Sequence, residues 1–421
     1  MRNYATLDDW NAREGVTFSP GTVEAAVDRM IDSLGPGVEL LGLGEPMHGA
    51  EAFLQLRNRI FQRLVERHGF TAIAVESSFP RGRRIDEFVH GRGDSGDYAA
   101  VASSGFSHNF GAAEGNRELI EWMRAHNAAH GRAIQFYGFD SPTEMMYADS
   151  PRALLMFVLD YLASVDATAS AQHRRARIEP LLGEDAAWEN QAVAMDPGKG
   201  IGLSENAAKL RIEAEDLITE LAVRAPELIA ASDSMRHGEA MRYAELARQM
   251  LTYHAAMAGN APNRIAELLG LRDRMMAENL AYIVRRERSR CAGARVLAFA
   301  HNSHLKRGQM QWQLGPNAVT WWPAGAQLEH MLGATYAVIG TGVGADEKQG
   351  LRPAEAGTIE ALLSDPSGGG ARFVATHRGK GLAADAMASQ QTRSASPSNP
   401  TYFPLTQRSL DEFDGLIVLN S

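Results

Sequence analysis

Val38-Glu39-Leu40-Leu41-Gly42-Leu43-Gly44-Glu45-Pro46-Met47-His48-Gly49 decides how the rest of the chain is read. The run over 38–43 is mostly apolar without regular polar alternation, the pattern of a strand buried on both faces. It breaks off at a glycine, an acid, a proline and a histidine, and a helical pattern follows over residues 50–67. The same succession recurs. Residues 71–75 end at Glu76-Ser77-Ser78, 133–137 at Gly138-Phe139-Asp140, and 296–299 at Ala300-His301-Asn302-Ser303-His304. Further apolar runs cover 336–339 and 416–419, and helical spacing covers 117–129 and 358–363. Strand and helix in alternation predict an α/β fold, a mostly parallel β-sheet flanked by helices. Residues 151–290 interrupt that rhythm with amphipathic helical stretches, clearest over 204–224, 235–258 and 263–288, and with no strand. They read as a large all-helical insertion. The chain then divides into a first part of the α/β core (1–150), the insertion (151–292) and a second part of the core (293–421). Two loops punctuate the last part: a glycine-rich turn over 364–370, and a Ser-, Gln- and Pro-rich stretch over 389–400 that reads as a flap or as disorder.

With 421 residues, 45% of them hydrophobic and 22% charged, the composition is ordinary for a globular protein and supplies a sizeable core. A net charge of −9 offers no dominant basic face to neutralise phosphates, which argues against nucleic acid as a partner. Cys291 is the lone cysteine, so neither an intramolecular disulfide nor a cysteine-rich zinc cluster can form. The first ten residues lack the apolar core of a secretory signal, and no stretch reaches the roughly 20 apolar residues of a membrane span. The expectation is a cytoplasmic protein with no membrane partner; composition sets no oligomeric state.

In an open α/β sheet, ligands bind beyond the carboxyl ends of the strands. Four of the predicted strands deliver ionisable residues there: Glu45 and His48, then Glu76, then Asp140, then His301 and His304. One loop histidine is as often structural as functional. Several strand ends carrying imidazoles and carboxylates together point to a site, because burying such groups is costly without a partner. Glu45 is near enough in sequence to hold the His48 ring by one nitrogen, leaving the other to take a proton from water. Glu51 lies one turn beyond His48, and Arg57 nearly two turns further, so both could face the same cleft. Glu51 reads slightly better as a first-turn acid in the field of its own helix, and Arg57 equally well as a solvated charge. His301 and His304, three apart at the head of a helix, suit an electrophilic pair that polarises a carbonyl or half of a divalent-metal site. No cofactor is indicated. A zinc site needs about three protein ligands and no His-Glu-x-x-His accompanies the pair, so a metal would call on His48, His301 and His304 together.

Familiar devices are absent. There is no Gly-x-Ser-x-Gly elbow; Gly42-Leu43-Gly44 lacks the third glycine of a dinucleotide loop, and no Walker lysine follows it. What the residues resemble, in order over residues 36–340, is the erythromycin esterase family. The matching motifs are Gly44-Glu45-Pro46-Met47-His48-Gly49-Ala50-Glu51-Ala52-Phe53, Val75-Glu76, Glu114 with Trp122-Met123-Arg124, and Gly138-Phe139-Asp140. The helical run from Arg272 to Asn279 and His301-Asn302-Ser303-His304 complete the set. The resemblance implies a hydrolase acting on a small-molecule ester or lactone such as a macrolide, and with it antibiotic resistance. It implies His48 as general base for the hydrolytic water, Glu45 as its partner, and no covalent acyl-enzyme. Glu76, Arg57, His301 and His304 would position the ester and stabilise its oxyanion. Met47 stands where the family commonly has threonine, and Ser77-Ser78-Phe79-Pro80 follows Glu76, so the pocket departs from the common pattern. Substrates and metal dependence vary within the family. Three rival readings stand beside this one: a metal-dependent hydrolase on the same histidines, a biosynthetic acyl-transfer enzyme, and a small-molecule-binding protein of the same fold.

Overall fold

Every side chain from Leu40 to Glu45 is buried, as is every one from Phe70 to Ser78. Continuous apolar segments of this kind can only lie inside a sheet covered on both faces. The computed structural model describes residues 3–420 apart from 20, 93–95, 145, 166–169, 315–316, 365–369 and 389. Its strands are β1 (Val16–Phe18), β2 (Leu40–Glu45), β3 (Phe70–Ser78), β4 (Gln135–Asp140), β5 (Arg295–His301), β6 (Met310–Leu314), β7 (Asn317–Trp321), β8 (Tyr336–Ala345), β9 (Ala371–Ala375) and β10 (Gly415–Asn420). Eight of them form one sheet in the order β1-β9-β10-β8-β2-β5-β3-β4, and β6 and β7 pair separately as a hairpin. From β10 to β4 all neighbours run parallel. The antiparallel pairs are β9 with β10 and β1 with β9, at one edge. This is the expected mostly parallel α/β sheet with helices against it.

The direction of the crossovers fixes where a ligand can bind. From β2 the chain moves to β3 on one side of the sheet, and from β5 it moves to β8 on the other. Such a reversal opens a crevice beyond the carboxyl ends of the two strands. Asn302 ties the strand ends around this crevice together. Its amide donates to Thr341 O at 2.7 Å and accepts from Thr341 N–H at 3.1 Å, and the Thr341 hydroxyl donates to Gly44 O at 2.7 Å. A Cβ on Gly44 would sit 2.0 Å from Asn302 Oδ1, so glycine is required there.

Between β4 and β5 the regular elements among the described residues are all helices, joined by turns and loops and accompanied by one isolated bridge between Thr143 and Ala148. Leu210, Ala214, Leu217 and Leu221 form the buried stripe of helix Glu205–Val223, with the spacing of an amphipathic helix. That helix packs on Ser234–Ala258, which packs in turn on Arg264–Arg290. Arg264–Arg290 lies against β4 and β5 and carries Arg272 and Asp273 to the strand ends.

On the other side of β4, helix Phe79–Val89 approaches so closely that a Cβ on Gly82 would meet Gly138 N at 2.3 Å. A Cβ on Gly138 would meet the carbonyls of Ser78 and Ser77 at 2.4 and 2.5 Å. Backbone cannot yield cheaply here. Gly138→Ala is expected to destabilise the protein by about 1–3 kcal/mol or more, read as a lower denaturant midpoint at unchanged slope.

Several elements were not foreseen. β1 has three residues, β9 is interrupted by Arg372, and the hairpin alternates polar with apolar side chains. Of the glycine-rich turn, residues 365–369 lie outside the described residues. Of the stretch over 389–400, residue 389 lies outside the described residues, and the rest is anchored rather than free: Gln391 N–H donates to Gly357 O at 2.8 Å, and the buried Arg393 donates to the carbonyls of Val343 and Arg352. Among the described residues, no helix is long and apolar enough to cross a membrane.

Candidate active site

β2 and β5 end in register, with Glu45 opposite His301, so the crevice receives a carboxylate and an imidazole at the same level. The chain then turns through Pro46 and the fully buried Met47. Gly49, at φ 79°, allows helix Glu51–His68 to begin immediately after. This turn places the His48 ring over Glu45, with Nδ1 and Oε1 2.7 Å apart. β3 brings Glu76 to the opposite side, its Oε1 4.0 Å from His48 Nε2. His301 stands beside His48, ring centroids 5.1 Å apart, and Phe110 flanks it at 5.3 Å.

Three histidines meet here in three different electrical states. His301 gives Nε2–H to Thr401 O at 2.8 Å, and its Nδ1 lies 2.7 Å from the Ser303 hydroxyl. With no carboxylate on the ring, burial and the neighbouring His48 push its pKa down to about 3, and it stays neutral. His304 lies between Asp273, at 2.8 Å from Nδ1, and Glu76, at 3.3 Å from Nε2. Burial opposes its charge, but the two carboxylates overcome burial and raise its pKa to about 10, making it a cation. His48 has one close carboxylate and reaches solvent. Burial works against its protonation; the bond to Glu45 and the charge of Glu76 outweigh it, leaving the pKa above 6.5. Burial also pushes the Glu45 carboxyl up, with His48 pulling it back. The His48 side chain is 29% exposed, against 6% for Glu45, 5% for Glu76 and 8% for His304, so of these four it is the group that can meet an incoming molecule.

Glu76 and Asp140 are tied together by Arg272. Its guanidinium gives Nε–H to Asp140 Oδ1 at 3.0 Å and Nη2–H to Asp140 Oδ2 at 2.6 Å, and reaches Glu76 Oε1 at 3.2 Å. Glu76 Oε2 accepts the His301 backbone N–H at 2.7 Å. Burial would raise the Glu76 carboxyl, yet His304, then His48 and Arg272, hold it well below the usual range. Asp140, fully buried, is drawn down to about 2 by Arg272 and His108 against the cost of burial. His108 Nε2 lies 3.1 Å from Asp140. His108 and Asn109 both adopt positive φ, 55° and 57°, a conformation uncommon for side chains other than glycine.

Of the residues expected in the site, Glu45, His48, Glu76, Asp140, His301 and His304 are brought together, and Arg57 and Glu51 are not. Arg57 is neither a solvated charge nor a wall of the crevice. It is buried, its guanidinium donating to Asn58, Asn116 and Gly115 O, and burial brings its pKa down to about 10 against the pull of the nearby Glu45 carboxylate. Glu51 accepts the backbone N–H groups of Glu114 and Gly115, both at 2.9 Å. It is the first-turn acid of its own helix, as expected, and also caps the start of a later one, Glu114–Ala129. Glu51 thereby satisfies two of the first N–H groups of that helix, which have no intrahelical partner, while Arg57 donates to the Gly115 carbonyl and the Asn116 side-chain oxygen.

Other contributors came from residues with no local signature. Asn399 and Thr401 grip the His48 backbone: Asn399 donates to His48 O at 2.9 Å, and His48 N–H donates to the Thr401 hydroxyl at 3.0 Å. Phe403 N–H donates to Pro46 O at 2.7 Å, and its ring meets His301 edge-on. Asn399 comes from the stretch read as a flap or as disorder. Arg272 and Asp273 stood inside a matched motif, but nothing in the helix pattern showed that they face the strand ends. Among the described residues, no three His, Cys, Asp or Glu side chains are grouped to hold a metal ion.

The profile of the erythromycin esterase family matches residues 65–421; Glu45, His48 and Arg57 precede that stretch. The erythromycin esterase type II of Escherichia coli is 22% identical over 310 residues, 72% of this chain and 68% of the relative. The type I enzyme of the same organism is 22% identical over 285 residues, 66% of this chain and 64% of its own length. Among solved structures, a Bacillus cereus protein superposes with a TM-score of 0.72 at 16% identity, covering 98% of this chain and 96% of its own. A succinoglycan biosynthesis protein does so with 0.70 at 17% identity and the same coverage. A histidine mutant of the erythromycin esterase EreC in its open conformation gives 0.68 at 19% identity, covering 97% of each chain. These three likenesses concern the fold. The family profile spans most of the sequence, and the chain belongs to the erythromycin esterase family.

Proposed function

We propose that this protein hydrolyses an ester or lactone of a macrolide-like small molecule, with water activated by His48 and no covalent acyl-enzyme. One observation carries the reading. Among the described residues, His48 Nε2 has no hydrogen-bond partner, while Nδ1 is held by Glu45, and Nε2 stands 4.0 Å from the ionised Glu76. A water can donate to both acceptors at about 2.8 Å each, which turns its lone pair outward to the substrate carbonyl.

As the water oxygen attacks the carbonyl carbon, its proton passes to His48 Nε2, and the carbonyl π electrons move onto oxygen. Collapse of the tetrahedral adduct breaks the ester C–O bond, and the His48 imidazolium returns the proton to the leaving alkoxide. The products are an acid and an alcohol. Glu45 stabilises the imidazolium formed midway. Neither histidine beside His48 has a nitrogen to spare for substrate or metal, since each ring already has two protein partners.

The test is a mass-shift assay across macrolactones and simple lactones, with and without a chelator. Addition of one water, about 18 Da, undiminished by chelation, is the expected result. An unchanged ligand bound stoichiometrically would overturn the reading in favour of a binding protein, and activity lost on chelation would favour the metal-dependent alternative. Glu45→Gln extends the test. The Glu45 carboxylate raises the His48 pKa, so its neutral replacement should move the acid limb of the kcat/KM–pH profile to lower pH, and lower the plateau as the base weakens.

A further inference from the structure

His304 owes its charge to a residue outside the crevice. Asp273 is fully buried, and every approach to it is from a donor. Its Oδ1 lies 2.8 Å from His304 Nδ1 and accepts the Ala324 backbone N–H at 3.0 Å, and its Oδ2 accepts the Trp321 indole N–H at 2.7 Å. Ala324 opens helix Ala324–Leu332, so the carboxylate also sits at the positive end of that helix. Gly325 lets the start of that helix pack against the backbone just after His304, since a Cβ there would fall 1.9 Å from Leu305 O. Trp321 is the last residue of β7. The base of the hairpin is thus bonded to Asp273, Asp273 to His304, and His304 to Glu76, the acid across from His48.

We propose that Asp273 is a positioning residue of the hydrolytic site: with Trp321 holding it in place, it keeps His304 a permanent cation and thereby keeps Glu76 ionised beside the attacking water. The inference rests on the hydrolytic reading for its consequence, although the Asp273–His304 coupling exists without it. Groups from several elements face His304. Glu76 comes from β3, Asp273 and Arg272 from helix Arg264–Arg290, His48 from the turn after β2, and His301 from β5. Arg272 cannot replace the histidine as counter-charge to Glu76, because two of its donors are committed to Asp140. Without the imidazolium, Glu76 would be a buried carboxylate with a shared cation, and it would compete with His48 for the proton of the water.

The experiment uses the full-length chain carrying Asp273→Asn or Trp321→Phe, each followed by NMR titration of the His304 ring and by the pH dependence of kcat/KM. In the unaltered protein the ring should show no titration through the neutral range. In Asp273→Asn it should titrate near neutrality, and the rate profile should gain a new descending limb that falls about tenfold per pH unit above that pKa. Trp321→Phe leaves the carboxylate but removes one donor, so the same limb should appear at higher pH; it carries the test if Asp273→Asn does not fold. A His304 ring that titrates near neutrality in the unaltered protein, or a folded Asp273→Asn protein with an unchanged profile, overturns the proposal. If no ester is turned over at all, the hydrolytic reading fails, while the NMR titration still decides whether Asp273 sets the charge of His304.

Discussion

His48→Ala is expected to lower ester turnover by about 10²–10⁴-fold, the usual contribution of a positioned general base, with the fold intact. The ring has one close polar partner, Glu45, and its edge is open to solvent. The contacts made by its backbone with Thr401 and Asn399 do not depend on the side chain. Glu45 would be left without its partner, but burial already favours its neutral form, so it can take up a proton rather than remain a bare buried charge. Thermal melting compared with steady-state kinetics separates the two quantities. A melting point close to that of the unaltered protein together with full turnover would place the base elsewhere.

Asp140→Ala is expected to act the other way, on stability before chemistry. Asp140 is fully buried, accepts two hydrogen bonds from Arg272 and one from the Ser141 N–H, and has His108 at 3.1 Å. Removing one partner of a buried ion pair costs about 3–5 kcal/mol, because the other charge is left behind. Arg272 would retain only its longer contact with Glu76. The same carboxylate should govern part of the acid sensitivity. Its folded pKa of about 2 lies below the ordinary 3.8, so its contribution is complete above the ordinary value and is lost as pH falls through the folded one. By linkage that contribution is about 2 kcal/mol. Urea unfolding at neutral pH and near pH 3 measures both effects. Loss of well under 1 kcal/mol in Asp140→Ala would mean that Arg272 finds another partner.

The carboxyl ends of the buried strands were legible because apolar runs such as residues 71–75 stop abruptly at ionisable residues, and a parallel sheet gathers those ends along one edge. That reasoning located Glu45, His48, Glu76, Asp140, His301 and His304. It failed where contact depends on the direction of a long helix or on a distant loop. Glu51 and Arg57 have the spacing to face the crevice, yet helix Glu51–His68 turns them to the start of a neighbouring helix. Asp273 follows Arg272 directly, and only the packing of helix Arg264–Arg290 reveals that the two serve different acids and bases. β9 was hidden because Arg372 interrupts its apolar run, and that side chain reaches Asn11 and, on the edge strand β1, Thr17.

The grip of Asn399 and Thr401 on His48 has a consequence for biosynthesis. His48 is translated early, but the side chains that hold its peptide groups emerge from the ribosome some 350 residues later, and β10, which lies between β8 and β9, later still. A nascent chain can fold its first strands and helices while the cleft is still incomplete. The surroundings of the His48 ring would then be complete only once the stretch through Thr401 and β10 has been made.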